Sequence, residues 1–212
     1  RGTDGRANIY RASGYQPEII AHHGIAAILE AQDKAGGLAE AYAFAYRERG
    51  HAFYVVTLPT AERTLVYDPV SQAWHERSYL DPALSREVHH LARYSVTFQG
   101  KTIVACRNNT LCEMSEDILT DLGQPIILTR SCPVVHGDQQ TLSMSAFELL
   151  IQTGVGTATG QGISPTIQMR QSVDGGISFG DWQNAAIGPI GDTARRVVWR
   201  RLGMAVNRVL EV

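Results

Sequence analysis

The 212-residue sequence has no marked excess of charge of either sign. Nineteen basic and 21 acidic side chains leave a formal net charge of −2. That balance gives no general field for nucleic acid, although a local patch stays open. Charged residues make up 19% and hydrophobic residues 44%, the composition of a folded domain rather than a disordered chain. No apolar run approaches the roughly 18 residues a membrane-spanning helix needs. No charged-then-apolar leader follows Arg1. Because the first residue is not Met, further sequence is expected upstream, so a missing leader says little about export.

Cysteine is scarce. Cys106, Cys112 and Cys132 are three in number and lack metal-site spacing. A two-residue turn at Asn108-Asn109 would pair Cys106 with Leu111 and Cys112 with Ala105. The two thiols would then point to opposite faces and could not bond. Three reduced thiols, made in a cytosol, are expected.

Catalytic and metal-binding patterns are also wanting. No P-loop or dinucleotide fingerprint occurs. His22-His23 and His89-His90 are adjacent pairs with no H-x-H or H-x₃-H, and on strands they would point to opposite faces. The carboxylates Glu113, Glu116, Asp117 and Asp121 are scattered. No catalytic, cofactor-binding or metal-ligating residue is assigned.

Short strands and turns dominate what is present. Glu18 to Glu30 is apolar and reads as a short helix or a buried strand, with Gly24 weakening the helix. Then Ala41–Arg47, Phe53–Leu58, Thr64–Tyr67 and Ala73–Arg77 read as four antiparallel strands in about 40 residues, the size of one propeller blade. Asp68-Pro69 opens a type I turn, and Trp74 is expected to be largely buried. Tyr94–Phe98, Lys101–Cys106 and Thr110–Met114 form a second, partial blade. These blades are too few to close a propeller. Beyond Glu116, strands are expected at Ile126–Arg130, within Thr141–Ile151, at Thr166–Ser172, Ile177–Trp182, Arg195–Leu202 and Ala205–Val212. Thr153–Pro165 carries four glycines and reads as a long mobile loop. The expectation is an all-β chain, with partial propeller-like blades over residues 1–115 and a β-sandwich-like region over residues 116–212.

Ser172–Phe179 (SVDGGISF) fits the Asp-box pattern S-x-D-x-G-x-[TS]-[WF] of sialidase-type propellers. Asp174 should bond turn amides, Gly175 and Gly176 should supply positive φ, and Phe179 should plug the core. A sialidase also needs a convergent arginine cluster. On one strand, Arg195 and Arg201 would share one face and Arg196 and Arg200 the other, which suits a solvated or interface strand. Tyr67–Trp74 (YDPVSQAW) echoes a kelch repeat, but Leu58-Pro59 stands where the Gly-Gly pair belongs.

In order, the chain reads IYRASGYQPEIIAHHGIAAILE, AYAFAYRERGHAFYVVTLP, TLVYDPVSQAWHER, SVDGGISF and RRVVWRRLGMAVNRVLEV. From Ile9 to Val212 this resembles the packaged-DNA stabilisation proteins of short-tailed bacteriophages and prophages, also called tail hub or head-completion proteins. The most specific stretches are GHAFYVVTLP…YDP…WHER and RRVVWRRLG. Phe179 departs from the expected Trp. The resemblance implies a structural virion protein made in the host bacterial cytoplasm. Copies would form a ring joining the portal and adaptor to distal tail parts, with DNA passing through the lumen and being retained. It implies no enzyme activity, cofactor, membrane or small-molecule substrate. The alternatives are an Asp-box glycan-binding or sialidase-like propeller fragment and a cellular kelch-like adaptor.

Overall fold

The computed structural model describes residues 6–115 and 117–212. The fold is mostly β, with one α-helix among the described residues. Two compact units divide the chain, Arg1–Ile127 and Leu128–Val212. The sequence-based division after residue 115 and this one differ by a short hairpin, Thr120–Pro125, which packs beside a strand of the first unit.

In the first unit, strands β1 (Tyr10–Ser13) and β2 (Gln16–Ile19) form a hairpin, followed by helix α1 (His23–Lys34). The ambiguous apolar stretch is therefore the end of a strand and then a helix, and α1 runs on past it to Lys34. Ile25, Ile28 and Leu29 give α1 a single apolar face. His22 caps it, its Nδ1 accepting from the Gly24 amide at 3.1 Å. A Cβ at Gly24 would meet the His22 ring at 3.0 Å, so the glycine makes room for the cap.

Five strands follow as a meander: β3 (Tyr42–Glu48), β4 (His51–Leu58), β5 (Arg63–Asp68), β6 (Ala73–Asp81) and β7 (Arg86–His89). Each pairs antiparallel with the next, in registers such as Phe44↔Val55↔Val66. The four-strand expectation missed β7, whose only fully buried side chain is Val88. One face of the sheet sends Val56, Leu58 and Leu65 against Ile25 and Leu29 of α1. The other sends Tyr46, Val55 and Val66 toward Phe44, Phe53 and Met114. A second sheet follows: β8 (Ala92–Phe98), β9 (Lys101–Cys106) and β10 (Leu111–Met114), in the order β10-β9-β8. Its inner face adds Val104, Cys106, Cys112 and Met114 to this core. The described residues form no closed barrel or propeller, because these sheets stack in layers with α1 outermost. The unit ends in the hairpin β11 (Thr120–Asp121) and β12 (Gln124–Pro125).

The second unit is built from β13 (Val135–His136), β14 (Leu142–Ser143), β15 (Ala146–Leu149), β16 (Thr166–Ser172), β17 (Gln183–Ala186), β18 (Val197–Arg200), β19 (Met204–Ala205) and β20 (Asn207–Glu211). A four-stranded sheet has the order β13-β20-β16-β17, while β14 pairs β19 and β15 pairs β18. β16 changes partner midway: Thr166–Met169 pair with β17, and Arg170–Ser172 pair with β20. Met169, Val197, Trp199, Leu202 and Leu210 fill the core, with Phe147 stacked on Trp199 at 5.7 Å. Ile126–Arg130 is not a strand, although Arg130 exchanges backbone hydrogen bonds with Val212. Ile177–Trp182 is not a strand either. It belongs to the long turn between β16 and β17.

Candidate interaction surfaces

The Asp-Pro turn after β5 forms as expected. Asp68 Oδ1 accepts from the Val70 amide at 2.9 Å, and its Oδ2 accepts from Ser71 Oγ at 2.7 Å. His51 Nδ1 lies 2.8 Å from the same Oδ2, a contact the sequence did not suggest. The hydrogen bonds from Ser71 and Val70, with His51 beside them, hold the Asp68 carboxyl at about 2, against desolvation. Ser71 bonds to the aspartate rather than to the histidine, so no activated nucleophile is assembled. Trp74 is half-buried, less than expected. It stands at the rim of the α1-facing core, where its Nε1 donates to Ile20 O at 2.8 Å and its ring lies 5.1 Å from Tyr67.

The histidine pairs are not paired on strands. His22 is the cap of α1 and His23 its first residue. His90 accepts from the Ala92 amide through Nδ1 at 3.2 Å, while its own amide donates to Thr64 Oγ1 at 3.0 Å. Burial pushes the His90 imidazole down to about 4. Among the described residues, no group of three or more His, Cys, Asp or Glu side chains gathers as a metal site would require.

The cysteine reading needs correction. The β9–β10 turn is Arg107-Asn108-Asn109, with Asn109 at φ 63°, and the register is Leu111↔Ala105 and Cys112↔Val104. A three-residue turn shifts the pairing by one, which puts Cys106 and Cys112 on the same face. They are diagonal neighbours, typically about 7–8 Å apart, at or beyond the reach of a disulfide. Burial, together with the neighbouring Cys112 thiol, raises Cys106 to about 11. All three cysteines are free thiols.

In the second unit the Asp-box-like turn forms with its polar atoms satisfied internally. Asp174 accepts from the amides of Ile177 (3.0 Å) and Ser178 (2.9 Å) and from the hydroxyls of Ser172 (2.6 Å) and Ser178 (2.5 Å). These bonds hold its carboxyl well below the usual range. Gly175 and Gly176 take φ of 78° and 96°. Phe179 does not plug the core. It is half-buried, and its ring stacks on the Arg170 guanidinium at 4.6 Å, with Trp182 also against that guanidinium at 4.5 Å. Arg170 Nε donates to Glu211 Oε1 at 2.5 Å, and Ser131 Oγ donates to Glu211 Oε2 at 2.6 Å. Gly176-Ile177-Ser178-Phe179-Gly180 also spells G-x-S-x-G. No strand-to-helix elbow carries it, and Ser178 donates to Asp174, so it is part of the turn.

The arginine run is not one uniform strand. β18 covers only Val197–Arg200, and Arg201 leaves it at φ 60°. Arg195 pairs with Asp192 at 3.6 Å, and Arg196 donates through Nε to Glu148 at 2.6 Å as one arm of a fork. Sequence reasoning missed Arg208, which is only 2% exposed. Its guanidinium donates to Leu202 O at 2.8 Å, to Gly203 O at 3.1 Å, and to Gln171 Oε1. Three acceptors in one place fix the turn after β18, and burial lowers the Arg208 pKa.

Thr153–Pro165 is a loop, pinned at several points. Gly191 N donates to Gly154 O and Thr157 N to Gly162 O, each at 2.9 Å. A Cβ on Gly156 would stand 2.6 Å from Gly162 O and one on Gly154 3.0 Å from the Asp192 backbone, so close backbone approach explains these two, whereas Gly160 stands in open space at φ 78°. Of the scattered carboxylates, Glu113 pairs with Lys101 at 2.8 Å and Asp117 lies 4.0 Å from Arg49. Burial raises the pKa of Asp121. Glu116 lies outside the described residues. Among the described residues, no helix is long and apolar enough to cross a membrane.

No curated protein matches the chain. Residues 128–210 match the family model described as Bacteriophage P22 Gp10, beta-sandwich, which takes in the second unit almost from end to end. This region is thus similar to the β-sandwich of a bacteriophage protein, and the match supports a phage structural protein of the tail or head-completion type.

Proposed function

We propose that this chain is a structural protein of a bacteriophage tail hub. Copies assemble in a ring between the portal and adaptor and the distal tail parts, DNA passes through the lumen, and the ring helps retain the packaged genome. The observation that carries this reading is the family match over residues 128–210. Two features support a positional role over a chemical one. The Ser, His and Asp groups in contact are spent within turns, as at Asp68 and Asp174. The ordered meander and sandwich also offer broad β surfaces of the kind that interfaces use. The glycan-binding alternative finds less support, because the Asp174 carboxylate and the Arg170 guanidinium of the Asp-box-like turn are already engaged.

The test is genetic and compositional. Mass spectrometry of purified virions should find the chain. Phage lacking its gene should yield heads that lose DNA and carry no distal tail. Full, tailed particles made without the gene would refute the hub role.

A further inference from the structure

The sheet β8-β9-β10 carries apolar side chains on both faces. Its inner face packs Val104, Cys106, Cys112 and Met114 into the core of the first unit. The registers Tyr94↔Ala105, Val96↔Ile103, Leu111↔Ala105 and Glu113↔Ile103 place Tyr94, Val96, Phe98, Ile103 and Leu111 together on the opposite face. There Tyr94 is 58% exposed, Val96 61%, Phe98 60% and Leu111 77%. An antiparallel sheet with one solvated face normally alternates apolar and polar residues. Here the outward rows of β8 are as apolar as a packed face.

We infer that this outer face of β8-β9-β10 is covered by a second copy of this chain. The inference deepens the ring reading by naming a contact surface, and it rests on that reading for its place in the virion. Its extent fits: four such side chains at these exposures leave roughly 400–500 Å² of apolar surface in water. That is as large as the biggest patch on a typical monomer, and more than half of the about 800 Å² each partner gives to a stable interface. The charge on the face points the same way. Lys101 and Glu113 on it pair at 2.8 Å, Arg107 at its end lies 3.8 Å from Asp81, and Arg93 beside Tyr94 lies over the Tyr42 ring at 5.2 Å. Nucleic acid would need a broad field of unpaired positive charge, whereas the row Tyr94, Val96 and Phe98 is apolar. A paired cation and anion can meet their own kind without like-charge repulsion.

Sedimentation equilibrium of the purified full-length chain is the direct test. The wild-type chain should self-associate over the micromolar range. The double variant Val96→Glu/Leu111→Glu should sediment as a monomer, with association weakened at least 100-fold. Both positions are exposed, so its circular dichroism and thermal midpoint should match the wild type, which separates lost association from lost folding. A single Phe98→Ser variant should weaken association to an intermediate degree. A wild-type chain that stays monomeric throughout, or a folded double variant that associates as the wild type does, overturns the inference. Mass spectrometry of purified virions reads the hub proposal separately: absence of the chain there would refute that role and leave the self-association result standing.

Discussion

The two units solve the same problem of burying β-strands by opposite routes. In the first, chain neighbours are sheet neighbours: β3 to β7 pair in strict order, and so do β8 to β10. In the second, partners come from far along the chain. Val135 pairs with Arg208 and Ala146 with Arg200, while Ser131 bonds to Glu211 across 80 residues. Local pairing lets short turns set the register, whereas distant pairing leaves long connections that something else must anchor. In the second unit, polar side chains do so: buried Arg208 holds the turn after β18, buried Glu211 ties Arg170 to Ser131, and exposed Asp174 closes its own loop. The first unit relies on apolar layers, with the Thr57–Thr64 hydroxyl contact at 3.0 Å as a buried polar seam.

The largest effect that would sharpen this contrast is expected at Trp199, 4% exposed in the centre of the second core. Trp199→Ala removes the stack on Phe147 and the Nε1 bond to Gln183 O at 2.9 Å, and should cost about 3–5 kcal/mol. Urea unfolding followed by hydrogen exchange should show the second unit opening early while α1 and β3 to β7 keep their protection. Equal loss of protection in both units would mean that they do not fold separately. Next comes Arg208→Met, which keeps the stem but removes the guanidinium donor from the Leu202 carbonyl, while Gly203 O keeps the Met144 amide at 2.9 Å, at a cost on the order of 1–3 kcal/mol. A neutral outcome in the same experiment would show that the distant pairings need no such anchor.

The same contrast decides what was legible in the sequence. β3 to β6 and β8 to β10 could be read to within a few residues, because period-2 patterns and the turns at Gly50, Asp68-Pro69 and Gly100 fix neighbours locally. A one-residue error in the turn after β9 was enough to move Cys112 to the other face. In the second unit β16 was read at its full length, but its partners were not, since nothing local says that Arg170 faces Glu211. Nothing in the sequence singles out Arg208: a buried charge satisfied by backbone carbonyls leaves no sequence signature. The Asp-box-like turn was legible as a turn. The fate of Phe179 was not, because its partner Arg170 lies on the strand before the turn rather than in a core.

Acid should weaken the first unit more than the second. His90 has its folded pKa lowered from 6.5 to about 4 by burial. Below pH 6.5 the unfolded chain binds the proton more readily, so stability is complete above pH 6.5, falls as pH drops toward 4, and levels off below. The full loss is up to about 3 kcal/mol. Protonation would also remove the Nδ1 acceptor used by the Ala92 amide. The second unit has no buried histidine among its described residues, so its melting should change less over that range. Calorimetry at pH 7 and pH 4.5 should show the first unit's transition moving down, and His90→Gln should flatten that movement. A shift of equal size in the variant would assign it to other groups.

The smallest expected effect concerns Phe179, where the Asp-box-like turn has the smaller of the two aromatic residues its pattern admits. Its ring and that of Trp182 lie against the Arg170 guanidinium, which is also held by Glu211. Trp is the strongest cation–π partner, and the site is only half-buried, so Phe179→Trp has room to extend over Arg170 without displacing a core side chain. The gain should be about 0.5 kcal/mol, which raises the second unit's midpoint by roughly 2–4 °C and leaves the first unit's unchanged. Phe179→Leu keeps apolar bulk but loses the π face, and should lower the same midpoint by a similar amount. If Trp and Leu move it equally in the same direction, the ring acts through bulk alone. The polar anchoring of the second unit would then reside in Glu211, Arg208 and Asp174, with no share for the stacked arginine.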